Sequence, residues 1–235
     1  MCSEGMLTLV TGNDYPPFTD KALPKGGMTT EIITTVFANL GYRTEVSYRP
    51  WKRGRDETKN AKFVATFPYI HTDEREKDFL FSEPLHTLRT RIFVSNQSSI
   101  NNIEDLDSKR ICIPLGFGVT QTINEFLGKN IIREKGNPVD LAGCLKMIQS
   151  GRKDFFVLNE TNGWITIQNT YNSRNDFRVL DAIVEEETEH LLISKSYPDG
   201  SSILNRFNAG LAELRESKVY DEIRNRHLRQ HNLLK

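Results

Sequence analysis

Strand-length apolar runs alternate with helical segments twice over along this chain, and that alternation restricts it to an α/β architecture with a mostly parallel sheet flanked by helices. In the first round Leu7-Thr-Leu-Val10 reads as a strand bounded by Gly12. A helix then starts at Thr29 or Thr30 and carries Ile32, Ile33, Val36, Phe37 and Leu40 at three-and-four spacing until Gly41 ends it. Arg43 to Tyr48 is the next strand, broken by Pro50-Trp51. In the second round Arg110 to Pro114 is a strand, Gly116-Phe117-Gly118 a turn, Thr120 to Leu127 a helix and Ile131 to Glu134 a strand. Pro138 to Ser150 is a helix with proline in its first turn, and Asp154 to Leu158 is an apolar strand ending at Asn159-Glu160. The polar stretch Ser95 to Ser99 links the rounds, so two lobes are expected. Phe177 to Leu180 and Leu191 to Ser194 are further strands, and the acidic run Asp181 to Glu189 between them reads as a solvated connection. The tail from Ser202 to Leu228 reads as helix, with Ile203, Phe207, Leu211 and Leu214 on one face.

A length of 235 residues is ample to bury a core. Lysine plus arginine and aspartate plus glutamate both number 31, so the formal net charge is zero. With no basic run interleaved with aromatics, nothing advertises nucleic acid or an anionic membrane surface. No apolar run approaches the roughly 20 residues of a membrane helix. Cys112 and Cys144 read most simply as small buried hydrophobes, with a mutual disulfide the alternative in an oxidising compartment. Cys2, in Cys-Ser after Met1, is what a truncated lipoprotein would leave. No cofactor is implied, and the acidic run lacks a spaced metal-ligand set.

The stretch Phe63 to Leu85 carries the first functional signal. Its apolar run stops at Pro68, and Thr72-Asp73-Glu74-Arg75 then offers a hydroxyl N-cap with acids in the first turn. Strand-to-helix corners of this kind sit where ligands of α/β proteins bind. Arg75 stands at the corner, and its permanently charged fork matches a carboxylate through two parallel hydrogen bonds. Trp51 offers a surface on which a flat or cationic group can stack. In the second round Gly116-Phe117-Gly118 lacks a phosphate-loop pattern; the exposed N–H groups there, at the start of the Thr120 helix, make an anion site instead, with Phe117, Gly118 and Thr120 as its residues.

The order strand, Thr-x-x-Arg, Asp-Phe-x-Phe-Ser-x-Pro, strand resembles the extracellular solute-binding proteins of family 3, which mostly serve polar amino acid uptake. Asn13-Asp-Tyr-Pro-Pro-Phe18 and Leu106 to Gly118 agree in order, and the resemblance covers nearly the whole chain. It implies a two-lobed type II periplasmic-binding-protein fold in which each lobe is a mixed, mostly parallel sheet flanked by helices. Lobe 1 is then 1–95 plus 189–235 and lobe 2 is 96–188, joined by two hinge crossings. It also implies a monomer outside the cytoplasm, its signal peptide removed, that closes on a small carboxylate ligand and delivers it to a membrane permease. An aromatic of the first loop, here Tyr15, packs on the ligand in that family, and Trp51 takes the place of an apolar contact. The segment that often supplies small hydroxyl side chains reads Phe67-Pro68-Tyr69-Ile70, bulkier and more apolar. Where α-amino-acid binders usually carry an aspartate for the ammonium, this chain has Asn159, with Glu160 next to it. Burying an ammonium without a carboxylate is costly. The two departures point to a ligand that is aromatic, apolar or without an α-ammonium.

Two other readings share the fold. Cyclohexadienyl dehydratases resemble this family, and Glu160 could serve there as a cleft acid, with Arg75 as carboxylate anchor and Trp51 and Phe67 as walls. A sensory module detached from a receptor is the other. The histidines add nothing to an enzyme reading: His71 and His86 flank the site loosely, His190 lies by the hinge, and no Ser-His-Asp or Cys-His spacing stands out.

Overall fold

A computed structural model of the chain describes residues 5–13, 15–114, 120–134, 138–171, 174–231 and 233. In chain order the elements are β1 (Met6–Thr11), α1 (Met28–Asn39), β2 (Arg43–Tyr48), α2 (Trp51–Lys59), β3 (Ala65–Ile70), α3 (Asp73–Glu76), β4 (Phe79–Phe81) and β5 (His86–Ser95). There follow β6 (Arg110–Ile111), α4 (Gln121–Gly128), β7 (Arg133–Glu134), α5 (Leu141–Gln149), β8 (Phe155–Asn159), α6 (Glu160–Tyr171), β9 (Phe177–Ser194), α7 (Gly200–Glu216) and α8 (Val219–Gln230). Two compact units result, Met1–Thr87 with Thr188–Lys235, and Leu88–Glu187.

In the first unit β1 pairs in parallel with β2 and β3, while β3 and β4 each pair antiparallel with β9. The stripe of α1 buries Ile32, Ile33, Val36 and Phe37. Phe37 meets Phe207 of α7 with ring centroids 5.1 Å apart. Gly210 permits that closeness, because a β-carbon there would sit 3.0 Å from Val36. Lys218, with φ of 64°, breaks the tail into α7 and α8, where the sequence reads as one helix.

In the second unit β8 pairs antiparallel with β5 and in parallel with β6, which pairs in parallel with β7. Where β5 and β8 pair at residues 92–94 and 155–156, the sheet is buried on both faces. Ile92, Val94 and Phe155 join one core with Ile111 and Ile123; Phe93 and Phe156 turn into another with Leu145, Ile148 and Ile167. Burial on both faces is why the strands read as continuous apolar runs rather than alternating ones. Cys112 and Cys144 lie in the second core and are disulfide-bonded, with Cα atoms 5.6 Å apart, which decides between their two sequence readings.

Several expectations are corrected. β3 does not stop at Pro68 but continues to Ile70, the missing N–H falling where the pairing with β9 shifts register between Thr66 and Tyr69. Pro138 is not in the first turn of α5, whose N-cap is Asp140, accepting from the Gly143 N–H. The acidic run Asp181 to Glu189 is no loop: β9 is one strand of 18 residues, and Glu189 is buried at 5 % exposure.

Candidate functional site

Within the first unit a cleft of about 310 Å³ opens beside the ends of β1 and β3, lined by Tyr15, Trp51, Pro68, Tyr69, Ile70, Arg75 and Glu189. Tyr15 is placed by the tight turn after β1, where its carbonyl accepts from the N–H groups of Phe18 and Thr19, both at 2.9 Å. Trp51 opens α2, and its indole lies across the backbone of Gly12, where a β-carbon would collide with it. Tyr69 stands edge-on to Trp51, with centroids 5.7 Å apart, and its hydroxyl donates to the Trp51 carbonyl at 2.9 Å. Burial pushes the Tyr69 phenol above its ordinary pKa, so the ring stays a neutral donor.

Arg75 is set by local chemistry. The Thr72 hydroxyl accepts from the Arg75 N–H at 3.3 Å and caps α3, as the sequence predicts. The guanidinium lies 5.1 Å from the Tyr69 ring centroid and donates through Nη1 to the Ile70 carbonyl at 2.7 Å. The Ile70 carbonyl and the Tyr69 ring face help to fix the group at the cleft wall.

Glu189 faces the same cleft from β9. Its Oε1 accepts from the Tyr15 hydroxyl at 3.0 Å and its Oε2 from His86 Nε2 at 2.7 Å. A carboxylate can only accept, so Nε2 carries the proton, and Nδ1 of His86 is buried with no partner among the described residues. The His86 ring stacks on Phe18, with centroids 4.7 Å apart. His86 is therefore bound to the cleft-lining Glu189 rather than a loose flank. Next along the strand, His190 donates from Nδ1 to the Ser82 carbonyl at 2.7 Å, which leaves Nε2 to accept from the Thr188 hydroxyl at 2.8 Å. Burial lowers the His190 pKa.

The first unit thus brings together Tyr15, Trp51, Pro68, Ile70 and Arg75 of the sequence-predicted set. Phe67 is fully buried and is not part of the cleft lining; its carbonyl accepts from the Thr11 hydroxyl at 2.6 Å. In the second unit Thr120 accepts from the Ile123 N–H at 3.3 Å and caps α4. Asn159 accepts from the Asn162 N–H at 3.2 Å at the start of α6. Glu160 is paired with Arg91 at 2.9 Å, and Arg91 also donates to the Leu180 carbonyl. Phe117 and Gly118 lie outside the described residues, as does Cys2. Glu189 escaped the sequence reading because it closes an acidic run that reads as solvated. The available signal was parity: along a strand it shares a face with Leu191 and Ile193. Among the described residues no group of His, Cys, Asp or Glu could hold a metal ion, and no helix is long and apolar enough to cross a membrane.

Three solved structures illustrate the likeness of the whole chain. The second substrate binding domain of a putative amino acid ABC transporter from Streptococcus pneumoniae matches with a TM-score of 0.78 at 18% identity, over 94% of this chain and 99% of that one. Substrate binding domain 2 of GlnP from Lactococcus lactis, in an open conformation, gives 0.77 at 17% identity over 97% of each chain. The L-cystine solute receptor of Neisseria gonorrhoeae, unliganded and open, gives 0.76 at 20% identity, over 94% of this chain and 91% of that one. At such identities the likeness establishes the fold, the type II periplasmic binding fold. No curated protein sequence matches the chain. The family model of bacterial extracellular solute-binding proteins, family 3, spans residues 7–230, and the chain belongs to that family.

Proposed function

We propose that the protein is an extracytoplasmic receptor that captures a small carboxylate-bearing ligand, an amino acid or a relative of one, for an ABC-type uptake system. The observation that carries this reading is Arg75, held at the wall of a cleft whose other surfaces are Tyr15, Trp51 and Tyr69. A guanidinium on the lining of a cleft matches a carboxylate through a forked ion pair, and the aromatic rings exclude water and strengthen it. Capture by closure of the two units on the ligand, as an equilibrium shifted by differential affinity, belongs to the same reading. The solved relatives include binding domains of an amino acid transporter and a cystine receptor, which supports a ligand of this class and a membrane permease as partner. Binding rather than catalysis is favoured because Glu160, the candidate cleft acid, is engaged by Arg91.

The test is a thermal-shift screen against amino acids, aromatic and aliphatic carboxylates and small peptides. A ligand at a hundred times its Kd stabilises by roughly 2.7 kcal/mol. A shift that disappears in Arg75→Ala supports a carboxylate receptor. Turnover of prephenate or arogenate that is lost in Glu160→Gln would replace this reading with the enzyme.

A further inference from the structure

Glu189 raises a question that the carboxylate reading leaves open. Its side chain is 6% exposed, and an ionised carboxylate so deeply placed is costly unless its lone pairs are used. Tyr15 and His86 occupy one acceptor site on each oxygen. A carboxylate offers roughly four such sites, so acceptor capacity remains on a residue that lines the cleft. Both donors are themselves anchored: Tyr15 packs on Phe18 at 4.8 Å, and His86 stacks on Phe18 at 4.7 Å. The carboxylate is thereby held in one orientation, as a binding group must be.

Among the described residues the cleft lining therefore includes a guanidinium, Arg75, and an oriented carboxylate, Glu189, together with aromatic rings. Aromatic faces also favour a cation over a second anion. Asn159, the residue expected at an ammonium site, spends its side-chain oxygen on α6. We infer that Glu189, oriented by Tyr15 and His86, accepts the ligand's cationic amino group, so that the cleft selects a small zwitterion over a bare carboxylate. This rests on the cleft being the ligand site, and it reverses the expectation drawn from Asn159 that the ligand lacks an ammonium.

The experiment compares matched pairs by calorimetry: each L-amino acid against the same acid without its amine, such as phenylalanine with 3-phenylpropanoate, leucine with 4-methylpentanoate and glutamate with glutarate. The expected result is an amino acid that binds the wild-type protein while its deaminated partner binds at least tenfold more weakly. Glu189→Gln should then weaken the amino acid by about thirtyfold or more, as removing one member of a buried charge pair does, and leave the deaminated acid little changed. Tyr15→Phe, which keeps the ring but frees Glu189 to turn, should weaken the amino acid several-fold; with the matched pairs, it decides the matter if Glu189→Gln does not fold. If carboxylates bind and are lost in Arg75→Ala, but the amine makes no difference or Glu189→Gln binds the amino acid as wild type does, the receptor reading stands and the role of Glu189 is overturned. If no acid of either kind binds, both fall.

Discussion

The Trp51 indole lies so close over Gly12 that no β-carbon fits between them. Gly12 thus sets the depth of the cleft from below, and Tyr69 fixes the same residue through its hydrogen bond to the Trp51 carbonyl. Gly12→Ala must push the ring off its seat. Overpacking of this kind costs about 1–3 kcal/mol, and each kcal/mol lowers Tm by roughly 2–4 °C for a chain of this size. A melt within a degree of wild type, with unchanged tryptophan emission, would show that the indole can move freely.

Arg75→Lys and Arg75→Ala should separate charge from shape. Lysine keeps the cation but cannot donate two parallel bonds, so ligand affinity should fall at least tenfold in both variants, with alanine the weaker binder. Thr72→Ala removes the cap that seats Arg75; it should cost about 1 kcal/mol of stability and a smaller loss of affinity. Calorimetry on all three variants ranks them.

Stability should depend on pH through His190. Burial holds its pKa in the folded protein below the ordinary 6.5, so the unfolded chain takes up a proton first. The contribution is complete above about pH 6.5 and is lost as pH falls through the depressed folded value. A melting series from pH 8 to 5 should decline in that window. His190→Gln, whose amide can replace both hydrogen bonds, should flatten it. Glu31 and Asp154 act lower still. Burial alone would raise both carboxyls, but hydrogen bonds from Arg226 and His227 to the first, and from Arg110 to the second, outweigh it and hold them below their ordinary 4.5 and 3.8.

Reduction should weaken the second unit. The Cys112–Cys144 bond spans a separation of 32 residues, and a loop of that size corresponds to about 3–4 kcal/mol of chain entropy. Two more thiols should titrate in denaturant after reduction than before. The Cys112→Ser/Cys144→Ser protein should melt lower than the oxidised wild type; equal melting temperatures would mean that the core around Cys112 and α5 needs no covalent support.

What the residues announced depended on whether neighbours along the chain decided the outcome. The period of α1 and the bounds of β2 are local matters, and both stand as read. So does the cap of α3, because Thr72 lies three residues from the Arg75 N–H from which it accepts. β9 was hidden because acids are poor strand formers by composition, and here they are carried on a strand whose exposed residues include Asp181, Ile183 and Glu186. Glu189 was hidden for a different reason: its partners are 103 and 174 residues distant, and no local pattern encodes such contacts. Asn159 was read through the family's habit, whereas in the fold its oxygen caps a helix that the sequence reading left out.

The bond between His86 and Glu189 lies beside both points at which the chain passes between its units. The chain passes between its two units at Thr87–Leu88 and again at Glu187–Thr188, each time within a β-strand and not a flexible tether. His86 stands one residue before the first passage and Glu189 one residue after the start of the second. A single side-chain contact of 2.7 Å therefore ties β5 to β9 beside both crossings. Strain placed on the Glu189 carboxylate would thus reach β5 and β9 at the two places where they leave the first unit.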